Sequence, residues 1–253
     1  SIARGTYIAR MDSDDISHKE RLKRQFDFLE KNKDVILCGT NYQIINTDRR
    51  TYVPLNHDDI TYRLLYENAF GHPTIMFRIF YLGEKLNISY SKVNVPAEDY
   101  DLWIKLSKIG TVANLPQVLL FYREHEGQIT KLREIARIRN TNSISWNNFV
   151  GYMSEISNDK YVITSTNPTK VLLEKLRLLR KMRKINDLSR MTLDVINLHV
   201  KNIIQELHHD PIHFNKKSVT ILIVNGFVLI NEFSVRSFFG IFYRIGKYHM
   251  FRL

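Results

Sequence analysis

A short strand-like run that ends in three carboxylates within four positions limits what this chain can become. Thr6-Tyr7-Ile8-Ala9-Arg10-Met11 has the β-rich, apolar character of a buried strand, and Asp12-Ser13-Asp14-Asp15 follows at once. Side chains alternate along extended backbone, so Asp12 and Asp14 are expected on one side and Ser13 and Asp15 on the other. Two carboxylates on one side repel and raise each other's pKa unless a cation sits between them. Mg²⁺ or Mn²⁺ suits that arrangement, with phosphate oxygens completing the shell. An acidic turn or a helix N-cap uses the same residues, so the motif alone does not decide.

The rest of the first half reads as strands alternating with helices, an α/β pattern. Residues 18–33 form an amphipathic helix with Leu22, Phe26 and Leu29 on its apolar side. Ser17 and Glu20 are spaced as its capping box. Residues 35–45 read as a long strand, 47–50 as a polar turn and 51–53 as a returning partner. Helices are expected over 58–67 and 98–109, the second stopped by Gly110. Strands are expected over 74–77 and 118–123.

Beyond Thr130 the spacing turns helical, over 133–156 and 168–207, with Asn167-Pro168 as a start signal and His208-His209-Asp210-Pro211 as a stop. Residues 187–189 interrupt the longer helix. The apolar run 219–230 is too short and broken for a membrane span, and its central Asn225-Gly226 suits a hairpin turn. Residues 238–253 are aromatic and basic.

Charge divides the chain at the same place. Residues 1–130 hold 17 Lys and Arg against 17 Asp and Glu, whereas residues 131–253 hold 20 against 9, which is the whole excess of +11. Two regions follow, 1–130 and a basic 131–253. The 44% hydrophobic content supports a real core. The single cysteine, Cys38, rules out an intrachain disulfide framework, sits in a strand-like run and fits a reducing, cytoplasmic setting.

Several segments recur in a telling order: Ala3 to Asn32 (ARGTYIARMDSDDISHKERLKRQFDFLEKN), Gly71-His72-Pro73-Thr74-Ile75-Met76-Phe77-Arg78, Glu98-Asp99-Tyr100-Asp101-Leu102-Trp103, Asn114-Leu115-Pro116, and Leu120-Phe121-Tyr122-Arg123-Glu124-His125. Together they resemble the bacterial family 2 glycosyltransferases, inverting enzymes of the GT-A fold, over about half the chain. The resemblance implies the C-terminal part of a GT-A mixed sheet, followed by a mainly α-helical basic region. It implies transfer of a sugar from a nucleotide-diphospho-sugar donor to a glycan or lipid-linked acceptor in surface polysaccharide synthesis. Family members carry a nucleotide-binding half before the Asp-X-Asp motif. Its absence here leads to the expectation of a truncated chain, inactive and poorly soluble as residues 1–253 alone.

Roles carry over residue by residue. The resemblance makes Asp14 the leading ligand of Mn²⁺ or Mg²⁺, with Asp12 beside it on metal or ribose, and leaves Asp15 to a local hydrogen bond. Asp99 takes the place of the catalytic base, and Glu98 beside it fixes acceptor or loop geometry. His72 lines the active site. His125 completes the metal shell or contacts the diphosphate. Arg123 pairs with phosphate, unless it forms an ordinary surface salt bridge. Trp103 either lines the acceptor pocket or fills the core. Acids at a helix start also suit the helix dipole, which accounts for Glu98, Asp99 and Asp101 without chemistry. The basic, aromatic tail suits peripheral contact with the inner face of an anionic membrane. The competing reading is a non-catalytic basic module that binds nucleic acid or a protein partner. No nucleic-acid motif supports the first of those partners.

Overall fold

The computed structural model describes residues 4–79, 89–125, 133–163 and 168–182, together with 185, 192, 194–196, 198–199 and 202–203. The chain divides into two compact units, 1–148 and 149–253.

The first unit is built on a five-stranded mixed sheet of order β1-β4-β3-β5-β2. Its strands are β1 (Tyr7–Ala9), β2 (Ile16–Ser17), β3 (Val35–Ile44), β4 (Met76–Arg78) and β5 (Thr111–Tyr122). Strands β3 and β5 are parallel, and the other three pairings are antiparallel. The α/β reading and the mixed sheet therefore hold. The expected Tyr7 strand is shorter and only half-buried, and β4 is its one neighbour among the described residues. The expected hairpin return also holds: the Thr51 amide donates to the Tyr42 carbonyl, and Gln43 bridges Arg50.

Strand β5 starts at Thr111, well before the expected 118–123, and runs through Pro116. Leu115 pairs with Thr40 and Val118 with Asn41, so Pro116 and Gln117 bulge out of the ladder. The Asn41 side chain donates to the Pro116 carbonyl, at 2.9 Å.

Helices α1 (Arg21–Lys31), α2 (His57–Arg63) and α3 (Glu98–Ser107) pack on this sheet. One core cluster joins Ile36, Leu37, Phe77 and Val112 to Ile60 of α2 and to Tyr100, Leu102, Trp103 and Leu106 of α3. A second joins Val35, Cys38 and Met76 to Leu29 of α1. Each large apolar side chain buried in this way contributes about 1.5–3 kcal/mol. Burial pushes the Cys38 thiol up to about 12, which keeps it an inert core group.

Helix α1 differs from its expected form at both its start and its face. It begins after Glu20, which makes no side-chain cap; Ser17 lies in β2, and the Glu20 amide donates to His18 Nδ1 at 3.2 Å. Leu22 and Phe26 are 56% and 46% exposed, whereas Arg21, Gln25 and Leu29 are buried. Gln25 donates to the carbonyls of Cys38 and Thr74, and Arg21 to those of Arg10 and Ile75. A polar face can be buried here because each polar group reaches a backbone acceptor.

Helix α4 (Glu134–Ser157) spans the boundary between the units, and its first part belongs to the first. Ile144 joins the larger core, and Asn140 and Asn148 donate to the carbonyls of Val95 and Leu64. In the second unit, α5 (Pro168–Met182) starts at Pro168, as the sequence suggested. The described residues from 192 to 203 are helical. Phe149, Met153, Tyr161, Leu179, Met182, Val195, Ile196 and Ile203 are its buried hydrophobics, and His199 stacks on Phe149. The interruption at 187–189, the stop at 208–211, the hairpin expected within 219–230 and the aromatic run 238–253 lie outside the described residues.

Candidate active site

Strands β1 and β2 are neighbours in sequence but lie at opposite edges of the sheet. The segment between them, Arg10 to Asp15, must therefore cross the sheet's end. It starts beside β4, where the Arg10 amide donates to the Ile75 carbonyl, and finishes beside the end of β5. The mouth of a sheet at its strand ends is where α/β folds collect ligands.

The crossing segment is a turn, not extended chain: the Asp15 amide bonds the Asp12 carbonyl at 3.3 Å. The carboxylates consequently do not alternate as expected, and each has its own partner. Both oxygens of Asp12 meet the Arg10 guanidinium fork, at 2.8 and 2.7 Å. Asp14 Oδ2 lies 2.9 Å from His125 Nε2, and this contact holds the Asp14 carboxyl below the usual range. Asp15 is buried and makes a distant bond rather than a local one. Its Oδ1 accepts from the Arg123 amide at 2.9 Å, while Arg123 Nε donates to the Asp14 carbonyl at 2.8 Å. Burial raises the Asp15 carboxyl despite that bond, and Asp14 and Asp12 nearby add to the rise. The Asp-rich turn and the Tyr122-Arg123-Glu124-His125 segment are thus laced together.

The second group forms where α3 begins. Asp99 stands in its first turn, and its Oδ2 accepts from Asn68 Nδ2 at 3.0 Å and lies 3.9 Å from His72 Nδ1. Pro73 opens the short 3₁₀ turn His72–Thr74, whose buried Thr74 anchors it: Oγ1 donates to the Gly71 carbonyl and accepts from the Thr40 amide. His72 Nε2 lies 2.9 Å from the Tyr90 hydroxyl. Burial lowers the His72 pKa, against the pull of Asp99. Tyr90 is pushed up to about 12, again by burial.

Glu98 caps its own helix start, accepting from the Ala97 amide at 3.0 Å. Trp103 has no exposed surface and meets the site only through the edge of the His72 ring, with centroids 5.8 Å apart. It is a core residue that buttresses His72. Asp101 pairs with Lys105 at 2.6 Å.

The two groups share one electrostatic neighbourhood. Arg10 and Asp12, from the Asp-rich turn, and Asp99 and Glu98, from α3, all act on the charges of His72 and Tyr90. Neither Asn68 nor Tyr90 stood out in the sequence, because each sits in irregular chain with no periodicity or motif to mark it.

Among the described residues, no three His, Cys, Asp or Glu side chains converge as a complete metal centre. Asp14 and His125 do supply an oxygen and a nitrogen at one point on the surface, a donor pair suited to a divalent ion whose other positions belong to phosphate and water. Asp12 is held by Arg10 and fits such a shell only when that guanidinium turns to another anion.

Comparison with known proteins agrees with this architecture. Residues 1–86 match the family described as "Glycosyl transferase family 2". The chain is similar to an O-antigen biosynthesis glycosyltransferase, WbnJ, of Escherichia coli, 35% identical over 49% of this chain and 50% of the relative. It is similar to the amylovoran biosynthesis glycosyltransferase AmsE of Erwinia amylovora, 31% identical over 50% of this chain and 48% of the relative. A third relative is WfaP of Escherichia coli, named a UDP-Glc:alpha-D-GlcNAc-diphosphoundecaprenol beta-1,3-glucosyltransferase, 34% identical over 55% of each chain. The chain spans about half the length of these relatives.

Proposed function

We propose that this chain, which belongs through residues 1–86 to the family 2 glycosyltransferases, takes part in transferring a sugar from a nucleoside-diphosphate donor to an acceptor hydroxyl, with inversion. The relatives build O-antigen and amylovoran, and one is named for a diphosphoundecaprenol-linked acceptor; a glycan or lipid-linked acceptor is the corresponding expectation here. What supports the reading is that the Asp-rich turn is bonded to Arg10, Arg123 and His125, while Asp99 stands at a helix start held by Asn68 and near His72.

The roles follow from that arrangement. Arg10 and Arg123 offer cationic forks to the diphosphate. Asp14 with His125, joined by Asp12 once Arg10 is engaged elsewhere, would hold Mg²⁺ or Mn²⁺. When bound, the ion would offset charge that builds up on the leaving diphosphate. Asp99 accepts the proton of the acceptor hydroxyl as its oxygen attacks the anomeric carbon. The bond from that carbon to the diphosphate oxygen breaks in the same displacement, and the diphosphate keeps the electron pair. Direct displacement needs a base and no covalent intermediate on the protein. Glu98, turned to the Ala97 amide, shapes the start of α3. The basic second half, residues 131–253, is assigned to the surface of an anionic membrane.

The test is a pair of substitutions in the full-length protein. Asp99→Asn is expected to keep donor binding and lose transfer by about 10²–10⁴-fold, the usual worth of a general base. Asp14→Ala is expected to weaken Mn²⁺ binding measured by calorimetry in the presence of a nucleoside diphosphate. Near-parental transfer by the first variant would remove the base assignment; undiminished Mn²⁺ binding by the second would remove the metal assignment.

A further inference from the structure

We propose that Asn68 is the positioning residue for the base, fixing which oxygen of Asp99 faces the acceptor. The inference rests on the reading of Asp99 given above and deepens it. Asn68 lies in the irregular segment between α2 and the His72–Thr74 turn, 31 residues before its partner. Its amide has no freedom to flip. The Phe70 amide donates to Asn68 Oδ1 at 3.1 Å, so the NH₂ group is the end that points at Asp99. Phe70 is itself held in the core, 5.7 Å from Trp103 by ring centroids. The Asn68 contact therefore has a rigid footing.

Both groups that approach Asp99 from this side address the same oxygen. Asn68 Nδ2 donates to Oδ2 at 3.0 Å, and His72 Nδ1 stands 3.9 Å from Oδ2, outside hydrogen-bond reach. Asn68 is thus the close partner and His72 the distant one. With Oδ2 engaged, Oδ1 is the oxygen left to take a proton. A neutral amide suits this task because it donates to a carboxylate and can neither accept the substrate proton nor add a second charge. His72, the other group near Asp99 Oδ2, and Tyr90 bonded to it stay unchanged in the variants below.

The experiment follows the Asp99 carboxyl carbon by NMR at fixed pH in full-length protein labelled with ¹³C-aspartate, the signal being assigned by its loss in Asp99→Asn. Asn68→Ala is expected to displace that signal, since the hydrogen bond to Oδ2 is removed. Asn68→Asp keeps the shape and the acceptor for the Phe70 amide but loses the donor, so it should displace the signal as well. This second variant also covers the case in which Asn68→Ala does not fold. In sugar transfer by the same protein, Asn68→Ala should lower kcat by about tenfold and leave the donor KM unchanged. Placed on Asp99→Asn, it should add no further loss, because the two residues act as one unit. An Asp99 signal that stays put in both Asn68 variants overturns the proposal, as does a full additional loss in the double variant. If Asp99→Asn transfers sugar at the parental rate, it is the base assignment that fails, while a displaced signal would still establish the Asn68 contact.

Discussion

Asp15 bears a cost at neutral pH that its neighbours do not. Its Oδ2 is buried with no hydrogen-bond partner, and burial holds its carboxyl above the usual range. A carboxyl raised in the fold binds its proton more tightly there than in the unfolded chain. Stability therefore falls as pH rises from the ordinary carboxylate range through the raised value, and Asp15 is unfavourable above it. Asp15→Asn removes the charge and keeps a carbonyl oxygen to accept from the Arg123 amide. It is expected to stabilise the protein at pH 7 by about 1 kcal/mol, the gain fading in acid as wild-type Asp15 takes up its proton. Asp15→Ala, which strands the Arg123 amide, should destabilise by about as much. Thermal unfolding between pH 3.5 and 7 separates these, and an Asn variant less stable than wild type at pH 7 would contradict the account. A single sequence cannot signal such a residue, because what sets Asp15 apart from Asp12 and Asp14 is its burial, made by packing against chain as far as 108 positions away.

Among the elements, α3 and α4 were the most legible and the face of α1 the least. The expected spans 98–109 and 133–156 meet helices at Glu98–Ser107 and Glu134–Ser157. Val35-Ile36-Leu37-Cys38 announces β3 by its apolar run, whereas Thr74 of the expected 74–77 strand lies in a 3₁₀ turn and β4 starts only at Met76. In α1 the periodic apolar positions Leu22 and Phe26 face outward, while Arg21 and Gln25 point in, because their acceptors are carbonyls of β3 and of the segments beside β1 and β4. Hydrophobic spacing carries no record of those distant acceptors. The same limit applies at the candidate site: a motif points to Asp12, Asp14 and Asp99, whereas the contact of Asn68 with Asp99 is visible only in the fold. Packing between elements also sets what a glycine can tolerate. At Gly39, in the middle of β3, an added Cβ would lie 2.2 Å from Asn114 Oδ1 and 2.9 Å from Phe70 Cδ1. Asn114 cannot swing aside, since its Nδ2 donates to the carbonyls of Pro54 and Ala69 at 2.7 and 3.2 Å. Gly39→Ala is expected to cost roughly 1–3 kcal/mol by overpacking. Gly151, inside α4 with nothing within 4 Å of its would-be Cβ, should respond in the opposite sense, Ala gaining up to about 1 kcal/mol from helix propensity. Denaturant unfolding of the two variants gives both signs, and a neutral Gly39→Ala would mean that β3 and β5 yield more than their hydrogen bonds suggest.

For the molecule as a whole, charge and fold do not divide the chain at one residue. The excess positive charge begins after Thr130, whereas the first compact unit runs on to Asn148. No helix among the described residues is long and apolar enough to cross a membrane. The membrane contact proposed above would be made by the exposed surface of the basic half. Arg177 and Lys181, both exposed on α5, belong to that surface. Each Lys or Arg close to anionic lipid contributes about 1 kcal/mol, screened by salt. Co-sedimentation with vesicles containing phosphatidylglycerol is therefore expected at low salt and should weaken as salt is added; equal binding to neutral phosphatidylcholine vesicles, or none to either, would exclude this attachment. A different consequence follows from the bonds that tie Asp14 and Asp15 to Arg123 and His125 across intervals of 108 to 111 residues. Joining segments so far apart carries a large loop-closure entropy, and the chain loses that freedom when it folds, before any ligand arrives. The Asp-rich turn is therefore ordered in advance. If it receives the donor as proposed above, association has correspondingly less disorder to remove there.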